Sequence, residues 1–233
     1  MRISKPQALA WSLSLLSSAP CIGCGGPTVG DIAGQEVTLG VVGIESAPEV
    51  AAVGEGRGGL GVSRAFVNAS ALELVPCSAE AGPIVLAPRG YDLLSTPPPS
   101  EIVTTAVSEF CNLRFDVDGL PEDAPGGIAA GTSLEVEGLD ADGAPFKLSS
   151  QSSVSLSFEP EDGSSFGAQP LLLAFDLSVW LDGLPLPADM ADMATPIFDS
   201  QLLDSAALYV DANGNQALDD DEQTPIAVAV PAR

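Results

Sequence analysis

"VSLSF", residues 154–158, alternates at every position. Val154, Leu156 and Phe158 share one face, and Ser155 and Ser157 share the other. That two-residue period belongs to a strand with one side against a core. Short runs of similar character lie on both sides of it. Upstream are "EVTLGVVGI" (36–44), "VSRAFVNASALELV" (62–75), "PIVLA" (83–87), "EIVTTAV" (101–107), "CNLRFDV" (111–117), "SLEVEGL" (133–139) and "APFKLSS" (144–150). Downstream is "PLLLAFDLSVWL" (170–181), which places Trp180 in an apolar strand and in the core. Asp142-Gly143, between two of these runs, is a hairpin signal. Strands parted by Gly, Pro and Asp turns, with no strand–helix–strand rhythm, predict an all-β fold, an antiparallel β-sandwich.

The last third reads differently. "LPADMADMATPIFDSQLLDSAALYV" (186–210) sets Phe198, Leu202, Leu203 and Ala206 at helical spacing, with Pro196 breaking the pattern upstream. One or two short helices near the C-terminus are expected there. "ESAPEVAAVGEGRGGLG" (45–61) reads as a mobile loop, and its glycines match no phosphate-binding pattern.

The N-terminus carries an export signal. Arg2 and Lys5 precede a nine-residue apolar run, Ala8 to Leu16. Such a run suits a secretory signal and is too short for a bilayer core of about 30 Å. "SSAPCIGCGG" follows, and small residues before a cysteine resemble the lipobox of bacterial lipoproteins. That resemblance implies cleavage before an acylated cysteine. Cys24, after Ile22 and Gly23, fits better than Cys21, which follows Pro20; cleavage after Ala19 is the alternative. Residues 1–23 are thus expected to be a signal peptide and 24–34 a tether. Residues 35–185 would form the sandwich and 186–233 a C-terminal helical segment with an acidic loop. Gly25 replaces the aspartate that retains enteric lipoproteins at the inner membrane, which favours the outer membrane. No transmembrane helix is expected.

Thirty-two acidic residues face eight basic ones, a formal charge of −24, and the signal removes two of the eight. That balance opposes binding to nucleic acid or anionic lipid through charge, since both need Lys/Arg patches. The chain has no histidine. Ser-His-Asp and Cys-His catalysis and most zinc and non-haem iron sites are thereby excluded. Beyond the signal only Cys77 and Cys111 remain, an even pair that in an exported protein reads as a disulfide; a free, buried pair is the alternative.

The succession "ALELVPC", "IVLAPRGYDLL", "CNLRFDVDGLP", "LEVEGLDADGAPFKLSS", "VSLSFEP" and "LLLAFDLSVWL" resembles an uncharacterised domain of bacterial surface lipoproteins, over roughly residues 60–182. The resemblance implies a β-sandwich at the cell surface. It supplies no site.

"DANGNQALDDDE" (211–222) is the one stretch with ligand-like spacing. A calcium loop takes oxygens from positions 1, 3, 5, 7, 9 and 12. Here those positions are Asp211, Asn213, Asn215, the Ala217 carbonyl, Asp219 and Glu222, with Leu218 as an apolar anchor. The stretch resembles an EF-hand loop with two departures. Gln216 stands where glycine makes the turn, and "QTPIAVAV" with Pro225 follows instead of a helix. A single loop without a partner predicts weak affinity, on the order of 10⁻⁴–10⁻³ M. A solvated acidic turn is the alternative.

The expected protein is therefore lipid-anchored and non-enzymatic, with a binding or structural role in the envelope and one Ca2+ as cofactor. Its partners are the membrane, through the anchor, and a protein or polysaccharide whose identity is not written in the chain. The competing expectation is a carboxylate-based glycoside hydrolase, which needs two Asp/Glu at a set separation. Sugar clefts also stack their substrate on aromatic rings, and the mature chain offers only Trp180, Tyr91 and Tyr209 outside its phenylalanines.

Overall fold

Strand β11 (Leu171–Asp176) decides the architecture. Leu171 to Phe175 are each at most 1% exposed, so both faces of the strand are covered. The computed structural model describes residues 35–44, 61–121, 126, 128–140, 142–160, 163–182 and 191–232. The expected signal peptide, Cys24, the tether and all of the expected 45–61 loop but Gly61, which opens a strand, lie outside the described residues. Among those described, no helix is long and apolar enough to cross a membrane.

β11 lies between β1 (Gln35–Ile44) and β12 (Ala206–Val210). It pairs in parallel with β1, from Leu39 opposite Leu171 to Ile44 opposite Asp176, and antiparallel with β12. On the other side of β1 runs the antiparallel β5 (Ser100–Thr105). Beyond β12 the order continues through β13 (Ala227–Pro231), β9 (Val154–Phe158), β6 (Glu109–Val117), β2 (Gly61–Pro76), β7 (Leu134–Leu139) and β8 (Pro145–Ser150). Three short strands hang off this path: β3 (Ile84–Leu86) and β4 (Arg89–Asp92) on β2, and β10 (Phe166–Gly167) on β6.

The protein is thus mostly β, but the expected antiparallel sandwich is replaced by one curled, mixed sheet. The physical reason lies in β11. A strand buried on both faces reads as a continuous apolar run, the kind that parallel pairing accompanies, and it carries no alternation to reveal its partner's direction. Two bonds bridge the arms of the curl. Gly43 N donates to Leu93 O at 2.8 Å, and Leu93 N donates to Ala65 O at 2.9 Å. β2 supplies much of the bend: its sixteen residues carry register shifts near Val62/Arg64, Ala69/Ala71 and Val75/Pro76, and bulges increase local twist.

The curl closes on one main core. Val37, Leu39 and Val41 of β1 share it with Leu113 and Phe115 of β6, Leu156 and Phe158 of β9, and Leu173 and Phe175 of the neighbouring β11. Tyr91 lies in it too; burial, then the Glu101 carboxylate, push its phenol well above the ordinary tyrosine range. The β7–β8 hairpin forms as the Asp142-Gly143 signal predicts. Gly143 takes φ +80°, and Asp140 Oδ1 accepts from Asp142 N and Ala144 N at 2.9 and 2.8 Å. At Gly90 a side chain is impossible, because a Cβ would stand 2.3 Å from Gly126 O.

Two helices are present among the described residues. α1 (Leu177–Trp180) begins inside the run expected to be strand. Asp176 turns the chain there: its Oδ1 accepts from Ser178 N at 2.9 Å and Val179 N at 3.4 Å, the work of an N-cap. α2 (Ala191–Ser205) includes Pro196, which the sequence reading placed as a break, and buries Phe198 and Leu202 completely. The helical pattern ends at Ser205. Ala206, the last residue of the expected helical stripe, opens β12 instead.

β12 and β13 sit mid-sheet, between β11 and β9, so the C-terminal segment completes the sheet as well as packing a helix on it. Cys77, just past β2, and Cys111, in β6, form the expected disulfide, with Cα atoms 4.8 Å apart, inside the usual range of about 4.4–6.8 Å.

Candidate functional site: the acidic C-terminal loop

Residues 211–222 join β12 to β13, which are neighbours in the sheet. The loop's two ends are pinned: Asp211 N donates to Pro170 O at 3.0 Å, and Ile226 N donates to Leu208 O at 2.8 Å. Between these ties the chain curls around its own acidic side chains.

Asp211 is 1% exposed and Glu222 7%. Asp211 Oδ1 accepts from Asn215 N at 3.1 Å and Oδ2 from Gln216 N at 2.9 Å. Glu222 Oε1 accepts from Ala212 N at 2.7 Å and Asn213 N at 3.3 Å, while Oε2 accepts from Asp219 N at 3.4 Å. Each end of the loop therefore holds the backbone of the other part. Asn213 Oδ1 and Asn215 Oδ1 accept from Asn215 N and Ala217 N at 2.9 and 2.8 Å. Their Nδ2 groups both donate to Asp219 Oδ2, at 2.6 and 2.8 Å. Asn213, Asn215 and Asp219 thus face one another across the curl.

Gln216, the first departure from the calcium-loop pattern, has φ +62°, and Gly214 has φ +71°. The backbone makes the left-handed turn at position 6 that glycine would permit without strain. Leu218 packs against Leu172, Ala174 and Tyr209 on the outer face of the sheet.

The electrostatics are one-sided. The twelve residues carry five carboxylates and no Lys or Arg. Among the described residues the ion pairs join Arg64 and Lys147 to Glu135 and Glu137, and Arg89 to Glu101; none reaches the loop. The arrangement is not a ready-made cluster, however: among the described residues no three His, Cys, Asp or Glu side chains come together as a metal site. Asp211 and Glu222 spend oxygens on amides, and Asp219 on two side-chain amides. An oxygen accepting one N–H still has a second lone pair. A hard, oxygen-seeking cation at the loop would have to draw on Asp211, Asn213, Asn215, the Ala217 carbonyl, Asp219 and Glu222, with the Asn213 and Asn215 amides turned from their present hydrogen bonds to Asp219. Ca2+ would supply the positive charge that the loop's own sequence lacks.

The carboxylate-hydrolase expectation needs a cleft with two acids. A groove of about 450 Å³ opens beside β10 and β13, lined by Pro160, Ser164, Phe166, Gln169, Thr224 and Val228 among others, with no Asp or Glu among the described residues of its wall. Trp180 and Tyr91 are buried in the main core, away from solvent. No family model, curated protein or solved structure matches this chain.

Proposed function

We propose that this chain is a non-enzymatic, lipid-anchored protein of the bacterial cell envelope, and that its 211–222 loop takes one Ca2+ to clamp the β12–β13 connection. The observation that carries the calcium reading is the burial of Asp211 and Glu222 at opposite ends of a curled loop without a basic partner among the described residues. The ion's role is structural. It joins the two ends of the loop through charge, and so holds β13 in the middle of the sheet.

An ion that binds only the folded state stabilises it by RT ln(1 + [L]/Kd), about 2.7 kcal/mol at a hundredfold excess. Calcium at roughly 10 mM is therefore expected to raise the melting temperature, if Kd lies near the tight end of the range for single extracellular sites. Magnesium should do less, because it demands tighter octahedral geometry. Glu222→Gln should remove most of the shift while leaving the sheet folded, since it deletes one of two charged oxygens on a potential bidentate ligand. A melting temperature indifferent to calcium in the wild-type chain would refute the reading.

The anchor rests on "SSAPCIGCGG". Several acyl chains hold a soluble domain on a membrane where one alone binds marginally. Cys24→Ser is expected to release the protein into the soluble fraction, and Cys21→Ser to leave it with the outer membrane. Fatty-acid labelling that follows Cys21 would overturn the assignment.

A further inference from the structure

Asn213 and Asn215 are held alike but followed by different residues. Asn213 Oδ1 accepts from Asn215 N at 2.9 Å and Asn215 Oδ1 from Ala217 N at 2.8 Å, so each side chain bonds the amide two residues ahead. Each Nδ2 donates to Asp219 Oδ2. After Asn215 comes Gln216, with a side chain and φ +62°. After Asn213 comes Gly214, at φ +71°, where a Cβ would meet nothing within 4 Å. Gly214 N donates to Asp211 O at 3.3 Å, a long and therefore weak bond. Asn213 is exposed, so water reaches the pair. The chain's other asparagines, Asn68 and Asn112, are buried in β2 and β6 and precede Ala69 and Leu113.

We propose that Asn213 is a site of spontaneous deamidation, with the loop supplying the nucleophile and water as the co-reactant. The ring closed by the bond from Asn215 N to Asn213 Oδ1 contains both Asn213 Cγ and the Gly214 nitrogen. Glycine carries no Cβ to obstruct their approach, and two groups held in one ring react with the advantage of proximity. Gly214 N gives its proton to solvent base and bonds to Cγ. Negative charge then develops on Oδ1, where the Asn215 N–H already donates. The Cγ–Nδ2 bond breaks, and the nitrogen takes up a proton and leaves as ammonia. Water next opens the five-membered imide. Attack at Cγ gives aspartate, and attack at the backbone carbonyl carbon gives isoaspartate, whose main chain runs through the former side chain. The balance is one water in and one ammonia out, with no change of oxidation state. Either product replaces the amide that donated to Asp219 with a carboxylate that repels it. The modification is thus an irreversible switch that loosens the β12–β13 connection. It does not depend on calcium.

The experiment incubates the folded full chain in chelator at neutral and mildly alkaline pH. Peptide mapping by mass spectrometry, with aspartate and isoaspartate resolved, is run beside an assay of released ammonia. The amide at 213 should be lost, faster at the higher pH and with matching ammonia, while 215, 68 and 112 keep theirs. Asn213→Gln should abolish the ammonia release, because its longer side chain would have to close a six-membered ring. Asn213→Asp reproduces one product, and should speed amide hydrogen exchange over 211–222 while leaving the rest of the sheet unchanged. A folded chain that keeps Asn213 under conditions where the denatured chain loses it would overturn the site, since the fold would then protect it. Equal loss at 213 and 215 would remove the role given to Gly214. Unchanged exchange in Asn213→Asp would overturn the switch.

Discussion

Trp180→Ala is expected to lower the unfolding free energy by about 3–5 kcal/mol, the range for removing a buried tryptophan from a core that only partly collapses. Trp180 is fully buried, and its ring stacks on Phe198 with centroids 4.7 Å apart and planes 6° from parallel. Phe175 approaches at 6.3 Å from the main core. The indole therefore ties α1 and α2 to β11, and its loss leaves a cavity bounded by three elements. Trp180→Phe should cost much less, because it keeps most of the stacking surface. It also deletes Nε1, a buried donor with no partner among the described residues. Denaturant unfolding of both variants checks this. Equal losses for Ala and Phe would show that the ring's volume is not what the site uses.

Trp180 also shows what a sequence can and cannot carry. Its burial follows from its apolar surroundings and was legible. Its helix was not, because a four-residue turn set by a single Asp176 cap leaves no period to read. β9, the "VSLSF" strand, was legible from alternation, but only part of the alternation reflects exposure. Ser155 faces solvent, whereas Ser157 is buried and exchanges hydrogen bonds with Asn112 at 2.9 and 3.1 Å. The continuous apolar run of β11 accords with parallel pairing but does not single out β1 as the partner, since that choice is settled by long-range packing. β12 fell inside a helical stripe because "AALYV" is too short for the two periods to separate. In the loop, the identity and spacing of the oxygen-bearing residues were plain, as was the anchoring place of Leu218. The tie from Gln216 to Ser100, whose Oγ accepts from Gln216 Nε2 at 3.1 Å, was not. It depends on a register across four strands that no local pattern encodes.

Removing the Cys77–Cys111 disulfide should destabilise the protein by about 3–4 kcal/mol, because the bond closes a loop of 34 residues in the unfolded chain. For a chain of this size that corresponds to a fall in melting temperature of roughly 6–16 °C. The native state has reason to tolerate the loss structurally. β2 and β6 are already paired from Ala69 opposite Val117 to Pro76 opposite Phe110, and Cys77 N donates to Glu109 O at 3.2 Å. The bond lies at the end of a ladder that hydrogen bonds and buried side chains hold by themselves. Its contribution therefore falls mainly on the unfolded ensemble, where it restrains the segment carrying β3, β4 and β5. The Cys77→Ser/Cys111→Ser double variant is the cleaner test, since a single substitution leaves a free thiol. It should fold to the same β-rich spectrum and melt earlier. An unchanged melting temperature would place the stabilisation elsewhere. A lost fold would mean that the β2–β6 ladder depends on the bond that ends it.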